Sequence, residues 1–222
     1  MGYWSYYLAW IAAAAILQHP WLIAGVVVFF LLRRYIPDPV VWLRTAGRIR
    51  SLRAQIEANS ANVTARRDLA RIYLERLRPG RALALLDEAR RRDPDHPELL
   101  FLTGVARFRT GDPAGALEPI VRAVEREPGL LYGEPYLVAA QALAALGRLE
   151  EAEDALERFV DVNTSSVEGY TRLSLVRRRR GDRDGARAAL SEALATFRQV
   201  PRFKKRRELG WWLRAQACRI VV

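Results

Sequence analysis

The sequence predicts an all-α solenoid of about four helix-turn-helix repeats, preceded by an N-terminal transmembrane helix or helical hairpin. The first observation is periodic. Ala82, Ala116, Ala152 and Ala186 stand 34, 36 and 34 residues apart, and each is followed four residues on by Leu86, Ile120, Leu156 or Leu190. Ala89, Ala123, Phe159 and Ala193 come three residues later, and Ala70, Gly104, Ala140 and Ser174 lie twelve before each anchor. A period near 34 with two helical stretches per unit marks a solenoid, whose units bury their apolar faces by stacking on neighbours. The second observation is a stretch from Tyr3 to Leu32 without Asp, Glu, Lys or Arg. The third is that basic amphipathic segments flank the repeats. These divide the chain into 1–36 (membrane anchor), 37–61 (connecting helix), 62–198 (repeats) and 199–222 (cap).

The N-terminal stretch exceeds the roughly 20 apolar residues that span a bilayer, and Gln18-His19-Pro20 interrupts it. It forms either one kinked span or a hairpin turning at that triplet. The cost of polar groups at mid-membrane and the helix-breaking proline favour the hairpin. Tyr3, Trp4, Tyr6, Tyr7, Trp10 and Trp21 suit interfacial belts. Arg33 and Arg34 directly follow the apolar stretch, and no basic residue precedes it. The tendency of basic residues to stay inside then places the repeats in the cytoplasm under either reading. A cleaved signal peptide fits poorly, because the basic leading region is absent.

After Pro37-Asp38-Pro39, the residues Trp42, Ala46, Ile49 and Ile56 recur at near-helical spacing among Arg44, Arg48, Arg50 and Arg53. This predicts a membrane-proximal helix that contacts anionic lipid, caps the first repeat, or both. At the other end, eight basic residues and one acidic one supply +7 of the chain's net +11 after residue 197. Leu209, Trp212, Leu213, Ala217 and Ile220 mark the expected apolar face of a capping helix there. Between these flanks, small residues at the repeat columns let helices approach closely. Gly111-Asp112-Pro113 reads as a stop, an N-cap and a first-turn proline. Asp95-His96-Pro97-Glu98 reads as a capping box. Gly147 and Gly181 read as helix ends.

Taken together, the columns resemble the tetratricopeptide repeat (TPR) family over about residues 63–198. Leu69-Ala70, Tyr73, Ala82, Leu86, Ala89 and Pro94 carry the likeness in the first unit, and Leu100, Gly104, Ala116, Ile120, Ala123 and Pro128 in the second. Tyr136, Ala140, Leu143, Ala152 and Leu156 follow in the third, and Tyr170, Leu173, Ala186, Leu190 and Ala193 in the fourth. Thr164 and Arg198 replace the closing proline, Arg107 replaces a tyrosine, and Gly129-Leu130-Leu131-Tyr132-Gly133 lengthens the approach to the third unit.

The resemblance implies paired antiparallel helices, a role in protein recognition, and a concave face lined by each unit's first helix. Carried over, that face holds Arg67, Arg71, Phe101, Val105, Phe108 and Arg109, then Leu137, Gln141 and Ala144, then Thr171, Leu175, Arg178 and Arg179. An apolar and cationic groove of this kind suits an acidic segment or an amphipathic helix. The clamp of the chaperone-tail-binding class is not reproduced, since Leu102, Glu134 and Val138 occupy columns it needs.

No catalytic constellation is visible. His19 and His96 lack spaced partners, Cys218 is the single cysteine, and no phosphate loop or paired-cysteine motif occurs. No cofactor or metal site is expected. Net charge keeps a polyanion binder, of anionic lipid or nucleic acid, as the alternative. Without a recognition helix or stacking platform, and with a membrane tether, nucleic acid is the weaker option, although Arg177 to Arg180 could reach phosphate. The Arg-, Ala- and Leu-rich composition fits a GC-rich bacterial genome. The expectation is therefore a non-enzymatic scaffold at the cytoplasmic face of a bacterial inner membrane, its partner and oligomeric state open.

Overall fold

A computed structural model describes residues 39–219. The membrane anchor expected over 1–36, with Arg33 and Arg34, and the residue Ile220 lie outside the described residues. Ten α-helices follow one another there: α1 (Pro39–Ala58), α2 (Val63–Glu75), α3 (Pro79–Arg90), α4 (Pro97–Arg109), α5 (Pro113–Arg126), α6 (Glu134–Ala145), α7 (Leu149–Val162), α8 (Val167–Arg180), α9 (Arg183–Gln199) and α10 (Arg202–Cys218). One 3₁₀ turn, Leu130–Gly133, precedes α6. No described helix is long and apolar enough to cross a membrane.

Each of α2–α3, α4–α5, α6–α7 and α8–α9 is an antiparallel pair packed on the next. The periodic columns are the spine of this stack. Ala82, Ala116, Ala152 and Ala186 are fully buried, and so are Leu86, Ile120 and Leu156 or nearly so. Apolar burial at about 25 cal/mol per Å² drives the stacking, and the small columns set its spacing. At Gly104 the approach is tight enough that a Cβ would lie 2.3 Å from Ile120 Cγ1.

Helix ends follow the sequence signals. Asn62, Asp112, Ser166 and Asp182 accept backbone N–H bonds at α2, α5, α8 and α9. Gly111, Gly147 and Gly181 take φ of 89°, 78° and 90° after the first helix of units two to four. The first unit makes the same turn with Leu77 at φ 54°. The expected capping box at Asp95–Glu98 does not form. His96 is the N-cap without a side-chain bond, Asp95 accepts from Arg122 and Arg126, and Glu98 pairs with Arg67 and Arg71. Ion pairing with neighbouring arginines thus displaces the local cap. The arginine replacing tyrosine in unit two also has a reason: buried Pro119 cannot donate to the Gly115 carbonyl, and Arg107 Nη1 donates to it at 2.9 Å instead.

The flanking helices cap both ends. α1 buries Ile49 and Leu52 against the first unit. Arg53 Nη2 donates to Tyr73 Oη at 2.7 Å, and Arg76 reaches back to Thr45 Oγ1 at 2.8 Å and over the Trp42 ring. α10 packs on α8 and α9, but on a different face from the one expected. Glu208 and Ala215 are buried, Trp211 and Trp212 half-buried, and Leu209, Leu213 and Ala217 exposed. The tryptophans set this register. Trp212 stacks on Phe197 with centroids 5.2 Å apart, and Trp211 lies between the guanidinium groups of Arg172 and Arg214.

Candidate functional site

The first helices of units one to three, the 3₁₀ turn and α10 enclose a groove of about 990 Å³. Its apolar lining comes from Leu74, Phe101, Leu102, Val105, Leu137 and Val138. These lie on successive turns of α2, α4 and α6, so the repeat geometry alone aligns them.

The 3₁₀ turn adds two unusual groups. Leu131 and Tyr132 adopt left-handed backbone conformations, φ 49° and 57°, which cost L-residues roughly 1–2 kcal/mol each. The turn exposes both side chains at the groove, Tyr132 to 80 %. α10 adds Phe203, 85 % exposed, together with Lys204, Arg207, Glu208 and Trp211.

The charges of the groove are mixed. Arg71 pairs with Glu98. Arg109 Nη1 donates to the Leu74 carbonyl at 2.8 Å, and burial pulls its pKa below the usual guanidinium value. Lys204 Nζ donates to Ser165 O at 3.0 Å and Oγ at 2.9 Å. Glu168 accepts from Arg172 at 2.8 Å. Glu134, at the start of α6, has its pKa raised by burial and further by the charge of Glu168, with Arg207 opposing.

Of the residues predicted for the concave face, Arg71, Phe101, Val105, Arg109 and Leu137 line this groove. Arg67 instead turns to Asp68 and Glu98. Phe108 packs against Ala116, Ile120 and Ala139, and Thr171 is fully buried, donating to the Val167 carbonyl. Gln141, Ala144, Leu175 and Arg179 line a separate pocket of about 120 Å³. Arg178 is exposed at the end of α8. Among the membrane-proximal residues, Trp42 and Arg44 are exposed on α1, and Arg48 lies 3.6 Å from Asp68.

Sequence reasoning missed Leu131, Tyr132, Glu134, Glu168 and the α10 contribution. A signal existed for the acids: Glu98, Glu134 and Glu168 occupy one repeat column, six residues before Gly104, Ala140 and Ser174. The five-residue insertion was the signal for the aromatic rim, since insertions map to one face of a solenoid. Among the described residues, no group of His, Cys, Asp and Glu side chains could hold a metal ion.

A solenoid of helical hairpins with a lined concave groove belongs to the class of repeat proteins that recognise other proteins. Family comparison is specific: the tetratricopeptide repeat model matches residues 49–130 and 137–202, about two thirds of the chain, and the chain belongs to that family. Solved structures agree on the fold. A MamA crystal structure shares 21 % identity at a TM-score of 0.63, covering 68 % of this chain and 87 % of that one. MamA residues 41 to the end from Desulfovibrio magneticus RS-1 share 17 % at 0.65, covering 76 % and 94 %. YrrB, described as a TPR protein with an unusual peptide-binding site, shares 18 % at 0.59, covering 70 % and 81 %. Comparison with curated proteins by sequence finds no match.

Proposed function

We propose that this chain is a membrane-anchored adaptor that docks a segment of a partner protein in its concave groove at the cytoplasmic face of a bacterial inner membrane. The observation that carries the docking is the groove itself: an apolar floor from three repeats, with Leu131, Tyr132 and Phe203 held exposed at its rim. Exposed aromatic side chains around a concave apolar floor suit the anchors of a protein interface. The peptide-binding site ascribed to YrrB, on the same fold, is consistent with this use.

The anchor rests on sequence. Tyr3 to Leu32 is free of charge, and Arg33 and Arg34 follow it. Trp42, Leu43 and Arg44, exposed on α1 just beyond, suit a headgroup surface. Tethering raises the local concentration of a weakly bound membrane partner. Among the described residues, no grouping of catalytic side chains recommends an enzymatic role.

Two measurements test the proposal. Removing residues 1–36 is expected to move the protein from the salt-washed membrane pellet to the supernatant; retention in the pellet counts against the anchor. A photo-crosslinking residue at position 132 or 203 is expected to give a discrete protein adduct in native membranes, lost on Val138→Glu. Equal adducts from position 188, on the outer helix α9, would refute docking in the groove. If binding instead falls steeply with salt and tracks phosphate content, the polyanion alternative holds.

A further inference from the structure

The composition suggests an acidic partner, but the groove argues the reverse. Three of its four cations are committed within the protein, and the fourth, Arg207, acts on Glu134 through its charge without a hydrogen bond or ion pair between them. Arg71 is held by Glu98, Arg109 by the Leu74 carbonyl, and Lys204 by Ser165. Its acids are not. Glu134 is half-buried and has no hydrogen-bond or ion-pair partner among the described residues; Glu75 at the α2 end, also without one, is exposed. Glu208 presents a side chain only 9 % exposed whose Oε2 finds no hydrogen-bond partner, with Lys204 Nζ 3.9 Å from its other oxygen. A carboxylate enclosed without a hydrogen-bonded partner is costly, and the charges of Lys204 and Arg207 compensate this wall of the groove only in part.

Building on the groove-docking reading above, we infer that the groove selects a partner segment carrying a lysine or arginine next to an aromatic or aliphatic residue. The basic group pairs with Glu134, and its apolar neighbour packs among Leu131, Tyr132 and Phe203. The strained turn supports this assignment. Two non-glycine residues in left-handed conformation hold Leu131 and Tyr132 at the mouth, directly before the α6 residue that carries the carboxylate. Burial already pushes the Glu134 pKa upward; an incoming cation relieves that penalty and favours the ionised form.

The test exploits the net charge of +11, whose long-range field favours acidic ligands. A display library of random 12-residue peptides is selected on the immobilised full chain, and the enriched peptides are titrated by fluorescence anisotropy. The expected consensus is a basic residue beside an aromatic or aliphatic one. Affinity is expected to fall about tenfold or more with Glu134→Gln, the scale of a charge-assisted hydrogen bond. It should fall about fivefold or more with Phe203→Ala, and stay unchanged with Asp154→Asn on the outer helix α7. Phe203 is exposed, and half-buried Glu134 makes no hydrogen bond or ion pair within the described residues, so both variants keep the fold. Acidic or uncharged consensus peptides, or basic peptides weakened by Phe203→Ala but not by Glu134→Gln, overturn the charge assignment and leave groove docking standing. No enrichment, or binding indifferent to both groove variants, overturns docking as well. Equal weakening by Asp154→Asn reveals diffuse attraction and also overturns the assignment.

Discussion

Replacing Gly104 with alanine probes the closest column of the repeat stack. The added methyl would lie 2.3 Å from Ile120 Cγ1, 2.9 Å from Cδ1 and 3.0 Å from the Ala116 carbonyl oxygen. Carbon atoms pack best at roughly 3.5–4.0 Å, so α4 and α5 must part or Ile120 must leave its rotamer. Overpacking of this kind costs roughly 1–3 kcal/mol. The gain in helix propensity returns up to about 1 kcal/mol. The expected net loss is about 1 kcal/mol, a fall in Tm of about 2–4 °C for a chain of this size. The other units show the remedy: the equivalent positions pair Ala70 with Leu86 and Ala140 with Leu156, while only Gly104 meets a β-branched residue. Adding Ile120→Leu to Gly104→Ala should therefore restore stability, with a coupling of about 1 kcal/mol or more relative to the separate changes. Thermal unfolding followed by far-UV circular dichroism measures all four proteins. A Gly104→Ala variant more stable than the parent, or strictly additive effects, would refute the packing argument.

Three further outcomes follow from the same contacts. Gly181→Ala, at φ 90° with open space around the new methyl, should lower stability by about 1 kcal/mol, whereas Gly210→Ala, inside α10 with equally open space, should raise it by up to about 1 kcal/mol; equal signs in the same unfolding assay would contradict the assigned backbone. For Glu153, burial works to raise the pKa, but hydrogen bonds from Arg177 at 2.7 Å and from Arg180 outweigh it and hold the value below the ordinary carboxylate range. A depressed carboxylate stabilises the fold above its unfolded pKa of about 4.3 and loses that effect as pH falls through the folded value. Urea midpoints should thus fall on acidification below about pH 4, and Glu153→Gln should flatten that part of the profile. Glu134 has the opposite sign: its raised pKa stabilises the fold below about pH 4.3 and loses that effect as pH rises through the folded value. Glu134→Gln should be more stable than the parent at pH 7 and lose that advantage near pH 4, and a pH-independent difference would exclude the burial argument.

The stack was readable because each unit repeats the same burial problem. A column such as Ala82, Ala116, Ala152 and Ala186 reports four times on one helix crossing, so coincidence is averaged out. Single-copy features lack that redundancy. The α10 face was assigned one register away because Leu209 and Leu213 look like core, while the helix is fixed by ring contacts of Trp211 and Trp212 with Arg172, Arg214 and Phe197. Phe197 and Arg172 lie in other helices, Arg172 about 40 residues away, where no local pattern encodes them. The groove was legible where a column position faces open space, as at Phe101, Val105 and Leu137. It was not legible in unit four, because α10 packs against α8, the helix that carries Thr171, Arg178 and Arg179. A terminal cap lying beside the concave face shortens the groove that the repeats alone would form.

Net charge is equally poor as a guide to the partner. The chain carries 36 basic and 25 acidic residues, yet many arginines are bound to acids of a neighbouring helix or turn. Arg177 and Arg180 share Glu153, Arg122 and Arg126 share Asp95, and Arg67 and Arg71 share Glu98. These pairs are partly exposed and add little stability individually, but they decide which charges remain for a ligand. Much of the surplus of positive charge lies in α1, α10 and the helix ends, while Glu75 and Glu134 in the groove have no ion-pair partner among the described residues and Arg207 of α10 lines the same groove. Under the proposed docking, the bulk field would govern how the surface meets polyanions, and the groove's local field which segment it retains. If the chain is tethered as proposed, separating the two lets basic flanks face anionic lipid without filling the groove with acidic competitors.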